Sequence, residues 1–124
     1  MVIIMEKRFF EEEPLKGLLF LKTKMADCNI HTFCGNSKLQ CGKIHIQQVD
    51  EIIDQSNRRD VDRNEIGDLM QLLETGKYEV LIVRDIWELT NDADDLEVRT
   101  NEILAMGIGI FELSSKIFRY NNYE

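Results

Sequence analysis

The sequence predicts an α/β domain: a mainly parallel sheet of four to five strands flanked by helices. Two observations carry this. Strand-like and helix-like runs alternate along the chain, the pattern of right-handed crossovers between parallel strands. The strand-like runs "LKGLLFLKT" and "YEVLIV" are nearly continuous in apolar residues, as strands buried on both faces are.

Taken in order, residues 1–14 form an N-terminal extension in which "VIIMEKRFF" reads as an extra edge strand or an ordered tail. Residues 15–124 form one domain. The first strand spans 15–23. From Met25 to Cys41, Ala26, Ile30, Phe33, Cys34, Ser37 and Cys41 recur at helical spacing, while Gly35 and Gly42 weaken or shorten that helix. "KIHIQQVDEIID" (43–54) is a second strand region and "QSNRRDVD" (55–62) a polar loop. A helix follows, with Asp62 and Glu65 at capping-box spacing, a stripe of Ile66, Leu69, Met70 and Leu73, and Gly76 to end it. "YEVLIV" (78–83) is the third strand. Thr90 or Asn91 can cap the next helix, whose first turn carries Asp92, Asp94 and Asp95. Its inner stripe is Ala93, Leu96, Thr100, Ile103 and Leu104, closed by Gly107. "GIGIFEL" (107–113) is a fourth strand, and the polar, aromatic tail "SSKIFRYNNYE" is left open.

Composition narrows the function. The 124 residues suit one core, and no apolar run is long enough to span a bilayer, so no membrane partner is expected. The N-terminus lacks the features of a signal peptide, which makes the cytoplasm the default compartment. A formal net charge of −8 is opposite to that of a duplex-binding domain, so a DNA role would need a local basic patch. Three cysteines without a secretion signal argue against a disulfide framework.

Ligands of parallel sheets bind outside the carboxyl ends of the strands. Here those ends carry Lys22, Lys24, Asp54, Arg84 and Asp85, joined by Arg58, Arg59 and Arg63 from the polar loop. The expectation is one charged rim, rich in cations.

Three other chemistries are weaker. Cys28, His31, Cys34, Cys41 and His45 invite a zinc reading, but no CxxC pair is present and positions 28, 31 and 34 spread around a helix. Buried cysteines packing as small hydrophobes explain them better, and no metal is expected. No Gly-rich phosphate loop follows a strand, and no cofactor is expected. "VLIVRDIWELTND" superficially resembles the acceptor strand of response-regulator receivers, yet "LKTK" stands where receivers carry an acidic pair. Taken singly, Trp87 reads as a core or interface aromatic, and Arg84 and Asp85 as solvated strand-end charges.

The order of elements from Leu18 to Leu113 resembles the N-terminal catalytic domain of the serine recombinases, the resolvase/invertase family. The second strand ends in Asp54, the loop "QSNRRDV" leads to Asp62-Arg63, a helix ends at Gly76, and "VLIVRDIWELTN" precedes a helix, a Gly and a last strand. The resemblance implies a resolvase-like three-layer fold. It also implies a site: a first-strand Tyr-x-Arg-x-Ser whose Ser attacks a DNA phosphate, and an Asp-Arg-Leu-x-Arg segment after the third strand. Matching Phe20 to the Tyr puts Lys22 at the Arg and Lys24 at the Ser; sliding by one puts Leu21 and Thr23 there. Trp87 stands at the Asp, Glu88 at the first Arg, Leu89 at the Leu and Asn91 at the last Arg. Arg63 alone matches a family active-site arginine.

The resemblance therefore implies a domain without its nucleophile and with reversed charge at Glu88, catalytically inactive: a relic of a mobile element, or a scaffold reused for protein interaction. The alternative is a non-catalytic phosphate or nucleic-acid module built on Lys22, Lys24, Arg58, Arg59 and Arg63. An active enzyme using Thr23 or a cysteine is a third reading. DNA enters as a partner only through the resemblance; a homodimer or another protein partner is equally open. The family continues into a long dimerisation helix and a basic DNA-binding domain, while this sequence stops at Glu124.

Overall fold

A computed structural model describes residues 14–55, 63–90 and 92–120. The element order is β1 (Leu15–Lys22), α1 (Asp27–Gly42), β2 (Ile46–Asp54), α2 (Arg63–Glu74), β3 (Val80–Val83), a 3₁₀ turn (Ile86–Glu88), α3 (Ala93–Ala105), β4 (Gly109–Glu112) and β5 (Ile117–Arg119). The strands form one sheet in the order β2-β1-β3-β4-β5. The first four are parallel, and β5 runs antiparallel to β4.

The continuous apolar runs are central strands because both of their faces are covered. Leu19 and Leu21 of β1, with Val80 and Ile82 of β3, face Ile30, Cys34 and Cys41 of α1. Leu18 and Phe20, with Leu81 and Val83, face Leu69 and Leu73 of α2 and Ile103 of α3. This is the expected three-layer sandwich, with α1 on one face and α2 and α3 on the other.

Several element edges differ from the sequence reading. The helix of α1 runs straight through Gly35 to Gly42, burying Ile30, Cys34, Ser37 and Cys41 on one side. Ala26, expected on the apolar face, is the extended N-cap residue. β2 begins at Ile46 because residues 43–45 form a turn in which His45 has φ 64°. The cap of α3 is neither Thr90 nor Asn91. Asp92 accepts from the Asp94 amide at 2.9 Å, and Thr90 instead accepts from the Asp92 amide at 3.2 Å. Ala93 is exposed, and the partly buried side of α3 includes Arg99, whose buried Nε has no hydrogen-bond partner among the described residues. Gly76 and Gly107 close α2 and α3 at φ 81° and 83°, a region that favours glycine. The tail supplies β5, whose Phe118 packs edge-on against Phe111 at 6.4 Å. The extension 1–13 and the capping pair Asp62 and Glu65 with Ile66 lie outside the described residues and side chains.

The topology fixes where a crevice opens. From β1 the chain leaves to α1 on one face; from β3 it leaves to α3 on the other. Adjacent parallel strands whose exits diverge leave a crevice at their carboxyl ends, here between Lys22 and the residues after Val83.

Candidate functional site at the β1–β3 crevice

Chemistry at this crevice starts from the backbone. β1 ends at Lys22, and its partner strand on one side ends at Asp54, with Lys22 and Asp54 in register. The Thr23 amide donates to the Asp54 carbonyl at 2.9 Å, extending the ladder by one bond. Lys22 Nζ lies 3.4 Å from Asp54 Oδ2, and Asp54 is 3% exposed. A carboxylate this buried needs a charge partner, and the lysine supplies one.

On the other side, β3 runs out into Arg84 and Asp85. Asp85 Oδ1 accepts from the Trp87 amide at 3.0 Å, which nucleates the 3₁₀ turn. That turn swings Glu88 back over the end of β1. Glu88 Oε1 accepts from the Lys22 amide at 2.8 Å, and Oε2 accepts from Arg84 Nε at 2.6 Å. A second guanidinium nitrogen of Arg84 donates to the Lys22 carbonyl at 3.0 Å, and the guanidinium lies 5.9 Å from the Phe33 ring centroid. The Glu88 side chain is only 10% exposed. Burial pushes its pKa up, and the Lys22 amide and Arg84 offset that rise only in part.

Glu112, at the end of β4, has a parallel role. Its carboxylate accepts from the Ile86 amide at 2.9 Å, the Ser115 hydroxyl at 2.8 Å and Arg119 at 3.4 Å. Burial pushes its pKa up, but these donors outweigh it and hold it below the usual carboxylate value. Glu88 thus ties the β1 end to the segment after β3, and Glu112 ties that segment to β4.

These contacts bear on the expected rim. Among the described residues Lys22 pairs with Asp54 and Arg84 with Glu88. Arg84 is not a solvated strand-end charge: the chain wraps it in contacts to β1, the 3₁₀ turn and α1. Trp87 is no core residue, being 51% exposed, whereas Leu89 beside it is 2% exposed. Lys24 is exposed in the loop between β1 and α1. Thr23 is 7% exposed, and its hydroxyl accepts from the Met25 amide at 3.1 Å. Arg58, Arg59, Asn91 and the side chain of Arg63 lie outside the described residues.

The cysteine–histidine cluster does not converge. Cys34 and Cys41 are buried on the inner side of α1, and Cys28 is exposed. Burial pushes the Cys41 thiol up to about 11 and also raises Cys34. His31 and Cys34 share a pocket of about 280 Å³ with Asp27, Ile30, Glu51, Ile53 and Gln55. No group of three or more His, Cys, Asp or Glu among the described residues could hold a metal ion. No helix among the described residues is long and apolar enough to cross a membrane.

Comparison with solved structures then settles the architecture. The N-terminal catalytic domain of TP901-1 integrase superposes with a TM-score of 0.65 at 13% identity, covering 83% of this chain and 80% of that one. The C-terminal catalytic domain of ISC1926 TnpA, an IS607-like serine recombinase, gives 0.62 at 15% identity over 80% and 69%. The fold is that of a serine recombinase catalytic domain. No family model and no curated relative matches the chain. The resolvase-like architecture expected from the element order is therefore present, with a five-stranded, mostly parallel sheet between helical layers.

Two features of the site escape a reading of the sequence. Arg84 and Glu88 are spaced i,i+4, a spacing that pairs charges on one side of a helical turn. Glu112 counts there only as part of a strand, although a lone acid in a run as apolar as "GIGIFEL" signals a buried, partnered carboxylate.

Proposed function

We propose that this is a resolvase/invertase-like domain that does not carry out strand cleavage. One observation carries the reading. At the rim where the fold's chemistry would sit, the chain offers Lys22-Thr23-Lys24 and no serine, and Glu88 lies inside the crevice bonded to the Lys22 amide and Arg84. A phosphodiester arriving there meets a fixed carboxylate, which opposes the charge developed in phosphoryl transfer. Neither Thr23 nor the buried cysteines replace the nucleophile. The Thr23 hydroxyl is buried and bonded to the Met25 amide, and the raised thiols of Cys34 and Cys41 hold little thiolate at neutral pH.

Incubation with DNA carrying recombination sites, followed by denaturing electrophoresis and mass spectrometry, tests this. No protein–DNA phosphoester is expected; one formed at any residue overturns the proposal. The alternative, a non-cleaving nucleic-acid module using Lys22, Lys24, Arg58, Arg59 and Arg63, has support in the exposed Lys24. It predicts DNA binding whose anisotropy signal falls as salt rises.

A further inference from the structure

Among the described residues β2 pairs with β1 alone and forms one edge of the sheet. An edge strand presents a row of backbone N–H and C=O groups, and folded proteins cover or blunt such an edge. This edge is nine residues long, Ile46–Asp54, against three in β5 at the opposite edge. Its middle is acidic: Asp50 and Glu51 are exposed, with exposed Val49 beside them. The two carboxylates lie on opposite faces of the sheet. Asp50 accepts from the Tyr78 hydroxyl, which belongs to the layer of α2 and α3. Glu51 accepts from Gln48 at 2.9 Å, and the Gln48 amide also reaches the Cys34 carbonyl of α1. A second copy of β2, paired antiparallel across a two-fold axis, would bring these acids against their own copies, which disfavours self-pairing.

Residues 2–10, "VIIMEKRFF", carry the complement. This segment too is nine residues long, and it is rich in β-branched and aromatic residues. Lys7 and Arg8 near its middle are consecutive, so in an extended chain they point to opposite faces, as the two acids do. The connection selects the edge and the direction. β1 starts at Leu15, in register with Ile46 at the start of β2. Residues 11–14 join Phe10 to Leu15 across at most about 17 Å when fully extended. The outer side of β2 lies two strand spacings from β1, about 10 Å, and that of β5 four spacings, about 19 Å. A strand on β2's outer edge that returns to the start of β1 must run antiparallel to β2. With Phe10 beside any residue from Ile46 to Gln48, Lys7 then falls within about one residue of Asp50. We propose that residues 2–10 form a sixth strand, antiparallel on the outer edge of β2, with Lys7 and Arg8 beside Asp50 and Glu51, and that this strand closes the edge to strands of other chains.

The experiment compares the full-length wild type, a variant lacking residues 2–10, and a full-length variant carrying K7E and R8E together. Amide hydrogen exchange and cross-strand contacts are read by NMR, and mass by light scattering. Wild type is expected to be a monomer with Hα–Hα contacts between residues 2–10 and 46–54. Its β2 amides that do not bond to β1 should exchange roughly tenfold or more slowly than in the deletion variant, while those bonded to β1 change little. A synthetic peptide of residues 1–13 added to the deletion variant should restore that protection in a saturable manner, and the same peptide with the two charges reversed should not. Should the deletion variant fail to fold, K7E with R8E carries the comparison and is expected to lose protection at the same amides. Contacts of residues 2–10 with β5 overturn the proposal. So do contacts with a second copy in a mixed-label sample, or equal exchange in wild type and both variants.

Discussion

Gly17 and Ile82 compete for one volume at the centre of the sheet, and that competition can be measured. Gly17 lies on β1 opposite Val80 of β3, one step before the β1–β2 register shifts between Gly17 and Leu18. A Cβ added at Gly17 would lie 2.7 Å from Ile82 Cδ1, 3.0 Å from Ile46 Cγ2 and 3.4 Å from Ile82 Cγ1. Ile82 and Ile46 are 0% and 1% exposed, so neither can move into solvent to make room. Overpacking of this kind costs about 1–3 kcal/mol, so G17A should destabilise by about 2 kcal/mol. I82V deletes the Cδ1 methyl and should cost about 1 kcal/mol. If the two were independent the double variant would lose about 3 kcal/mol. Because the methyl that G17A introduces would occupy the space vacated by Cδ1, the double variant should lose only about 1 kcal/mol, a coupling of roughly 2 kcal/mol. Urea denaturation followed by circular dichroism resolves this, and in thermal melts it corresponds to several degrees in Tm. Additivity within about 0.5 kcal/mol would refute the β1–β3 register. The same register carries Lys22 to its place under Glu88, so the site geometry would fall with it.

Other measurements bear on the rim. The two carboxylates should affect acid stability with opposite signs. Glu112 has a lowered pKa, so its contribution is present above the unfolded value and lost as pH falls through the folded one. Glu88 has a raised pKa, so the folded state binds its proton more tightly, and stability from this group falls as pH rises through the window from the unfolded to the folded value. Melting curves taken from the acid range up to neutrality should therefore show E112Q with a shallower acid loss than wild type and E88Q with a steeper one. The same sign for both variants would contradict the geometry. Native thiol labelling should modify Cys28 rapidly and spare Cys34 and Cys41 until denaturant is added, since both are buried with raised pKa values. Three equally fast thiols would mean that α1 does not pack as described.

The parts of the fold that can be read from sequence are those where burial is two-sided. "LKGLLFLKT" and "YEVLIV" announce central strands because a strand covered on both faces has no polar alternation to hide it. β5 cannot be read in this way, since a three-residue edge strand buries only Phe118 fully and leaves Ile117 and Arg119 half-buried. The start of β2 is hidden because His45 takes a left-handed conformation that neither its identity nor hydrophobic spacing reveals. The α3 cap is ambiguous for a related reason. Thr90, Asn91 and Asp92 are all competent caps, and the choice depends on where the 3₁₀ turn ends.

The site is legible as a location and not as a set of bonds. Knowing that parallel strands gather their ligands at their carboxyl ends is enough to single out Lys22, Asp54 and Arg84, and the family motif adds Glu88. What sequence cannot supply is direction. In the sequence, Glu88 reads only as a negative charge at a position that the resemblance would assign to an arginine. In the folded chain it has turned inward to satisfy the last amide of β1, a donor from the distant N-terminal strand. A buried carboxylate at 10% exposure survives only if both oxygens are bonded, and the sequence provides for this in two ways. Arg84 stands one helical turn before it, and β1 ends one residue short of the Thr23 amide that continues its ladder to Asp54. Glu88 thus acts as a structural clamp between β1 and the segment after β3. A clamp tolerates Gln, whose oxygen still accepts from Lys22, whereas Arg at position 88 would place two guanidinium groups in one crevice with a single anion's space between them. E88R should therefore destabilise the fold more than E88Q does, by about 2 kcal/mol or more, because like charges would meet in a crevice of low dielectric. Urea melts of the two variants compare them directly, and equal stability would show that Glu88 does not close the crevice.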